Sequence, residues 1–158
     1  IQFIEKTDIP RYHEDVRVFE VIEGDGTHLG ILYTDYFPRA SKNSGGWATF
    51  FRQQSRLDNK NIRPIVLNAF NLPQPSDDKP AFITTGSVST LFHELGHALH
   101  GLLSQCTYNS LSGTGVAGDF AEFLSQMMEN WAFEPEVLET YAKHHETGEQ
   151  VMKSAWFE

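Results

Sequence analysis

The most constraining feature of this chain is a predicted helix that carries the motif His93-Glu94-x-x-His97. Over residues 87–105, apolar residues recur at helical spacing and form a wide apolar face. The two histidines are four residues apart, so their imidazoles lie on one side of the helix, away from that apolar face. Glu94 is rotated by about 100° around the axis, which places its carboxylate near a shared metal without making it a ligand. The pattern favours a metal site suited to hydrolysis over a surface helix that happens to carry histidines.

Residues 1–72 are predicted to be rich in β-strands. Gly24-Asp25-Gly26 separates two strand-like segments and predicts a hairpin. Pro10 argues against regular structure in residues 1–15. Several prolines predict an extended linker over residues 73–86. The four expected strands, rich in β-branched and aromatic residues, are residues 16–22, 29–37, 47–53 and 64–71.

The rest of the chain is predicted to be helical. A second helix is expected over residues 119–131, and Pro135 begins a third that Gly148 would end. Because strands precede helices, the predicted class is α+β. We expect one domain over residues 1–158, with a small antiparallel sheet in the N-terminal half and a helical zinc-binding part in residues 87–158.

Composition limits the classes of partner. The chain has 158 residues, a formal net charge of −9 and no block of basic residues, so neither nucleic acid nor an anionic membrane is an expected partner. No apolar run reaches the length of a membrane span. Cys106 is the single cysteine, which excludes an internal disulfide, favours a structural role for Cys106 and makes the cytoplasm the expected compartment. The chain begins at Ile1 without a methionine, and we expect it to be a piece of a longer protein.

A zinc hydrolase site needs a third protein ligand and one open position. The pattern in which a third histidine follows six residues after His97 does not apply, because Leu103 stands there. The remaining common choice is a glutamate on a following helix. Spacing alone leaves Glu122 and Glu129 both open, and a merely solvated helix face would look similar. The polar face of the second helix contains Asp119, Glu122, Gln126 and Glu129.

Several segments carry a family resemblance. They are Phe-His-Glu-Leu-Gly-His-Ala-Leu-His at residues 92–100, Leu-Ser-Gly-Thr at 111–114 and Asp-Phe-Ala-Glu-Phe-Leu-Ser-Gln-Met-Met-Glu-Asn-Trp at 119–131. These segments closely resemble the thimet oligopeptidase family of zinc metallopeptidases, which includes neurolysin, oligopeptidase A and bacterial peptidyl-dipeptidase. Ser44-Gly45-Gly46 and His100-Gly101-Leu102 resemble the peptidyl-dipeptidase branch more than the thimet branch. Because family members are large and mainly helical, the chain is expected to be a catalytic-domain fragment.

By position, the resemblance implies that His93, His97 and Glu122 bind one Zn²⁺ per chain. It implies that Glu94 is the catalytic residue and activates the water that attacks the peptide carbonyl. It also favours Glu122 over Glu129 as the third ligand.

Further residues are candidates for supporting roles. Gln126 or Glu129 is expected to hydrogen-bond a ligand histidine and hold it in its working tautomer. The loop that contains Ser112 and Gly113 could contact a peptide substrate, and strand 64–71 could pair with that substrate if the strand lies at a sheet edge. The alternative for both segments is an ordinary structural role. His100 is expected to pack or hydrogen-bond near the motif. The remaining histidines, expected to be at the surface or structural, are His13, His28, His144 and His145.

The resemblance implies hydrolysis of short oligopeptides. Its peptidyl-dipeptidase branch implies release of C-terminal dipeptides, and the sequence leaves internal cleavage open as the alternative. Leu95, Gly118 and Leu124 differ from the residues that the family usually has at these positions. None of the three is an expected zinc ligand, so the differences bear on substrate preference and not on metal binding. The family's transition-state tyrosines come from a later glycine- and tyrosine-rich segment that this chain lacks, so we expect little or no activity from the chain alone. The alternative hypothesis is a zinc- or peptide-binding module without turnover.

Overall fold

The structure is a computed structural model that describes residues 1–76 and 80–150. Strands precede helices along the chain. The strands are β1 (Gln2–Glu5), β2 (Arg17–Ile22), β3 (His28–Asp35), β4 (Trp47–Arg52) and β5 (Ile65–Ala69). The α-helices of the described residues are α1 (Thr85–Leu102), α2 (Gly118–Trp131) and α3 (Pro135–Tyr141). None of these helices combines the length and the apolar character needed to span a membrane.

The five strands form one sheet in the order β1-β2-β3-β5-β4. β1, β2 and β3 are antiparallel neighbours, and β4 is antiparallel to β5. β5 pairs with β3 in parallel, with Leu32 opposite Val66. The sheet is therefore mixed, and the prediction of an antiparallel sheet was wrong for this one pairing. The reason is that β4 does not pair with β3, so β5 enters the space between them in the same direction as β3.

The position of β5 also corrects a prediction about the sheet edge. Pairing of strand 64–71 with a substrate required an edge position, but β5 is paired on both sides and most of its residues are buried. Its apolar residues fit a strand that is covered on both faces. The edge strand beside the helices is β4, whose residues are mostly half-buried or exposed.

The first fifteen residues contain a strand that was not predicted. β1 pairs with β2, and Phe3 lies opposite Val21. Pro10 does break regular structure, but only after β1 has ended. Every residue of β1 is exposed, so its pairing rather than its burial defines it as a strand.

The core lies between the sheet and α1. Gly30 of β3 permits a close approach here, because a Cβ at this position would lie 2.7 Å from a methyl group of Leu102. Phe19 and Phe50 pack against the edge of the core cluster. The buried members of that cluster are Val21, Leu29, Leu32, Val66, Ala98 and Leu102.

The helix ends differ slightly from the predicted ends. α1 begins at Thr85, two residues before the predicted stretch 87–105, because the side chain of Thr84 caps the helix and accepts a hydrogen bond from the Ser87 N–H at 3.1 Å. Pro135 lies in the first turn of α3, but that helix ends at Tyr141, well before Gly148. Residues 77–79 of the predicted linker and residues 151–158 of the predicted helical part lie outside the described residues.

A buried ionic cluster fixes the end of β3. The Asp35 side chain is 2% exposed and accepts hydrogen bonds from Arg39 at 2.6 and 2.7 Å, from Tyr12 at 2.7 Å and from Lys42 at 3.0 Å. Lys42 also donates to the backbone carbonyl of Phe70, just after β5. Burial alone would raise the pKa of Asp35, but the hydrogen bonds from Arg39, Tyr12 and Lys42 outweigh it and hold that pKa well below its usual range. The cluster therefore ties the loop after β3 to the end of β5.

Candidate metal centre

Two helices bring three metal-ligating side chains together. His93 and His97 are one turn apart on α1, and their Nε2 atoms are 3.2 Å apart. Glu122 reaches them from α2, and its Oε2 lies 3.2 Å from His93 Nε2 and 3.3 Å from His97 Nε2. Within the described ranges, this is the one group of three or more His, Cys, Asp or Glu side chains close enough to share a metal ion.

The distances fit a small tetrahedral cation. Zinc binds imidazole nitrogen and carboxylate oxygen at about 2.0–2.1 Å, so two ligand atoms of a tetrahedron are about 3.3–3.4 Å apart. The three separations agree with this spacing to within about 0.2 Å. Three electron-rich atoms at such distances repel one another unless a cation or a proton lies among them. The residues present therefore fit a zinc ion.

Glu129 determines which nitrogen of His93 is available to bind a metal ion. Its Oε1 lies 2.7 Å from His93 Nδ1, and because a carboxylate only accepts, that nitrogen carries the proton. Nε2 of His93 is then left with a lone pair, and it points at Glu122. Ser89 donates a hydrogen bond to the other oxygen of Glu129 at 3.3 Å. This is the arrangement by which a carboxylate orients a metal-ligating imidazole.

A close helix crossing places Glu122 beside the histidines. A Cβ at Gly96 of α1 would lie 2.6 Å from the Cα of Ser125 and 3.0 Å from the carbonyl oxygen of Leu124. Only a glycine allows the two backbones to approach this closely. Gly96 is three residues after His93, and Ser125 is three residues after Glu122. The crossing therefore lies about one turn from the ligands on both helices.

Glu94 lies on α1 directly after His93, within reach of the fields of both histidines and of Glu122. It is 8% exposed and also lies near the backbone amide of Ala48 on edge strand β4. The pKa of Glu94 is raised, chiefly by burial. The charge of Glu122 adds to the rise, whereas the two histidines and the Ala48 amide lower the pKa without cancelling it. A carboxylate with a raised pKa next to a metal site is suited to accept and return a proton.

The other predicted site residues lie in different surroundings. Gln126 is exposed and has no hydrogen-bond partner in the described part of the chain, so it does not contact either ligand histidine. Ser112 is buried, and the Gly113 N–H donates to Ser104 Oγ at 2.8 Å, past the C-terminal end of α1. His100 packs edge-on against Phe120. Besides His100, four histidines lie outside the motif and join no group of metal ligands among the described residues: His13, His28, His144 and His145.

Three contacts at the site were not predicted. Ser89 lies four residues before His93 and Ser125 three residues after Glu122, so helical spacing on the ligand faces could have indicated both serines. The interaction of Ala48 with Glu94 joins residues that are far apart in the chain. No local pattern in the sequence indicates it.

Comparison with known proteins gives a consistent result. The model of "Peptidase family M3" matches residues 1–156. The chain is 46% identical over 151 residues to a dipeptidyl carboxypeptidase of Salmonella typhimurium, which covers 96% of the chain and 22% of that protein. It is 38% identical to oligopeptidase A of Escherichia coli, over 94% of the chain and 22% of that protein. It is 37% identical to the mitochondrial intermediate peptidase of Rattus norvegicus, over 89% of the chain and 20% of that protein.

The matches cover nearly the whole chain but only a small part of each relative. The chain spans about a fifth of the length of these curated relatives. The motif His93-Glu94-x-x-His97 and the glutamate-bearing helix α2 both lie within the residues that the family model matches. The chain belongs to peptidase family M3.

Proposed function

We propose that this chain forms the zinc centre of a metallopeptidase that hydrolyses short oligopeptides and releases C-terminal dipeptides. The convergence of His93, His97 and Glu122 at tetrahedral spacing carries the proposal. The finer activity draws support from the relative that is 46% identical and is named a dipeptidyl carboxypeptidase.

Three side chains would bind the metal ion, and a fourth keeps one of them in the required tautomer. His93 Nε2, His97 Nε2 and Glu122 Oε2 would hold the ion, and the Glu129 carboxylate keeps the proton of His93 on Nδ1. When bound, zinc supplies Lewis acidity and lowers the pKa of a coordinated water to about 7.

Glu94 accepts a proton from the attacking water on its carboxylate and passes it to the departing amine. Its burial favours the protonated form, so the carboxyl can hold that proton between the two steps. The alternative of a binding module without turnover gives no reason for a buried carboxylate at this position.

The edge strand β4 supports a mode of substrate binding. β4 pairs with β5 along one side only, and Ala48 is next to Glu94. An extended peptide can add to such an edge through main-chain hydrogen bonds. Gly113 packs on the ring of Phe50 in β4, which brings the predicted substrate loop to the same strand. We therefore assign the substrate-pairing role to β4 and not to strand 64–71.

The proposal is tested in two steps. First, the purified chain is stripped of metal and reloaded, and zinc per chain is measured for the wild type and for His97→Ala. We expect one zinc per wild-type chain and its loss in the variant; no zinc in the wild type would refute the metal centre.

Second, Glu94→Gln is tested for zinc content on the chain and for peptide hydrolysis on the complete protein in which the chain occurs. We expect full zinc content without release of dipeptides. Hydrolysis at the wild-type rate would refute the role of Glu94. Zinc binding without any hydrolysis by the wild type would favour the binding module.

A further inference from the structure

We propose that Ser125 is a positioning residue that orients the carboxylate of Glu122 toward the two ligand histidines. This inference rests on the proposed zinc centre. Ser125 lies on α2 and is 0% exposed. Its Oγ lies 2.9 Å from the backbone oxygen of Glu122 and 3.0 Å from Glu122 Oε2.

The oxygen that Ser125 contacts is the one that faces the histidines. Oε2 of Glu122 lies 3.2 Å from His93 Nε2 and 3.3 Å from His97 Nε2. The Glu122 side chain is 47% exposed, so packing alone does not restrict it to one rotamer. Fixing a flexible glutamate side chain costs conformational entropy, which weakens metal binding. A hydrogen bond from Ser125 already restricts the Glu122 side chain in the metal-free protein, so less conformational entropy is lost when an ion binds.

The helix crossing holds Ser125 in place. The Cα of Ser125 packs against Gly96. A Cβ added to Gly96 would lie only 2.6 Å from that Cα. Buried at this contact, the hydroxyl has two acceptors within the described residues, and both belong to Glu122. A serine inside a helix often bonds to the carbonyl three or four residues earlier. The hydroxyl has one hydrogen, so the carbonyl and the carboxylate of Glu122 compete for it. The carboxylate is the stronger acceptor, because a hydrogen bond to an ionised oxygen is stronger than one to a neutral carbonyl.

The test is the zinc affinity of Ser125→Ala, measured by competition with a chromophoric chelator. Removing a partner of a metal ligand typically weakens metal binding about 10- to 100-fold, and we expect a loss in this range. Asn130→Ala is the matched control, because Asn130 donates to the carbonyl of Met127 three residues earlier on the same helix. We expect that control to bind zinc like the wild type.

A double-mutant comparison separates positioning from general stability. If Ser125 acts through Glu122, Ser125→Ala will weaken zinc binding in the wild type but will cause no further loss in a Glu122→Ala background. Equal losses in both backgrounds, or an affinity of Ser125→Ala within twofold of wild type, would overturn the inference. Circular dichroism of the metal-free proteins checks folding, and Ser125→Gly repeats the test if the alanine variant unfolds.

The two proposals fail in different ways. Absence of zinc from the wild-type chain overturns the proposed metal centre and this inference with it. A wild type that binds one zinc, together with an unaffected Ser125→Ala, overturns only the role of Ser125.

Discussion

Replacing Gly96 with alanine directly tests the helix crossing that assembles the site. The new methyl group would lie 2.6 Å from the Cα of Ser125, whereas ordinary contacts of this kind begin at 3.4 Å. Because the obstacle is backbone, α2 has to retreat by about 0.8 Å along this direction. Metal-ligand distances tolerate deviations of about 0.2 Å, so the retreat exceeds the tolerance roughly fourfold. We expect Gly96→Ala to lose most of its zinc affinity.

The same substitution should reduce stability. Overpacking costs about 1–3 kcal/mol, and the higher helix propensity of alanine offsets up to about 1 kcal/mol of this. With the full offset, we expect a net loss of about 0–2 kcal/mol. The matched control is Gly86→Ala in the first turn of α1, where the nearest atom to a new Cβ is the Thr84 hydroxyl oxygen at 3.8 Å. That variant should be at least as stable as the wild type.

Urea unfolding of the metal-free proteins, followed by chelator competition, measures both effects. Loss of zinc affinity in Gly96→Ala but not in Gly86→Ala would support the crossing as the element that sets the ligand spacing. If Gly96→Ala keeps both wild-type stability and wild-type zinc affinity, the close approach has no role in assembling the site.

Two further outcomes follow from the ionic cluster and from the support of His93. Asp35→Asn should lower the free energy of unfolding by about 3 kcal/mol at pH 7, because it leaves Lys42 without its buried carboxylate partner. The pKa of Asp35 is lowered in the folded state, so its contribution to stability is complete above the unfolded pKa of 3.8 and is lost as the pH falls below that value. In urea titrations, the difference in unfolding free energy between wild type and Asp35→Asn should therefore narrow in acid. A constant difference would contradict this. Glu129→Ala should weaken zinc binding about 10- to 100-fold, because Glu129 orients His93. Gln126→Ala, on the exposed side of the same helix, should bind zinc like the wild type. Equal losses in a chelator assay would rule out the role of Glu129 in orienting His93.

The sequence was most informative where spacing within one helix decides the geometry. A separation of four residues was enough to predict that His93 and His97 share a face. Spacing did not distinguish Glu122 from Glu129, and the structure shows why. Both glutamates contact the same histidine, Glu122 at Nε2 and Glu129 at Nδ1. Two turns of helix separate them, so both lie on the face toward α1.

Sequence patterns were least informative about small residues and strand pairing. The buried residues of α1 include Glu94, Gly96, Ala98 and Gly101, whereas Leu103, which follows α1, is exposed. Large apolar residues such as Val88 and Leu102 therefore mark only part of the packed side of the helix, because close approach to α2 and to the ring of Phe50 requires small side chains. The parallel partner of β5 depends on contacts between distant segments, which local propensity does not contain.

The strand order also has a consequence for how the chain folds. Four pairs are neighbours along the chain, namely β1 with β2, β2 with β3, β4 with β5, and α1 with α2. The parallel β3–β5 pairing instead encloses β4 within its loop. Closing that loop is the entropically expensive step, so we expect it to follow formation of the four local pairs. All three proposed ligands belong to the helical pair, whereas Ala48, which lies near Glu94, belongs to β4. We therefore expect the helical pair to be able to capture an ion before the sheet is complete, and Glu94 to acquire its final surroundings only when α1 docks against β4.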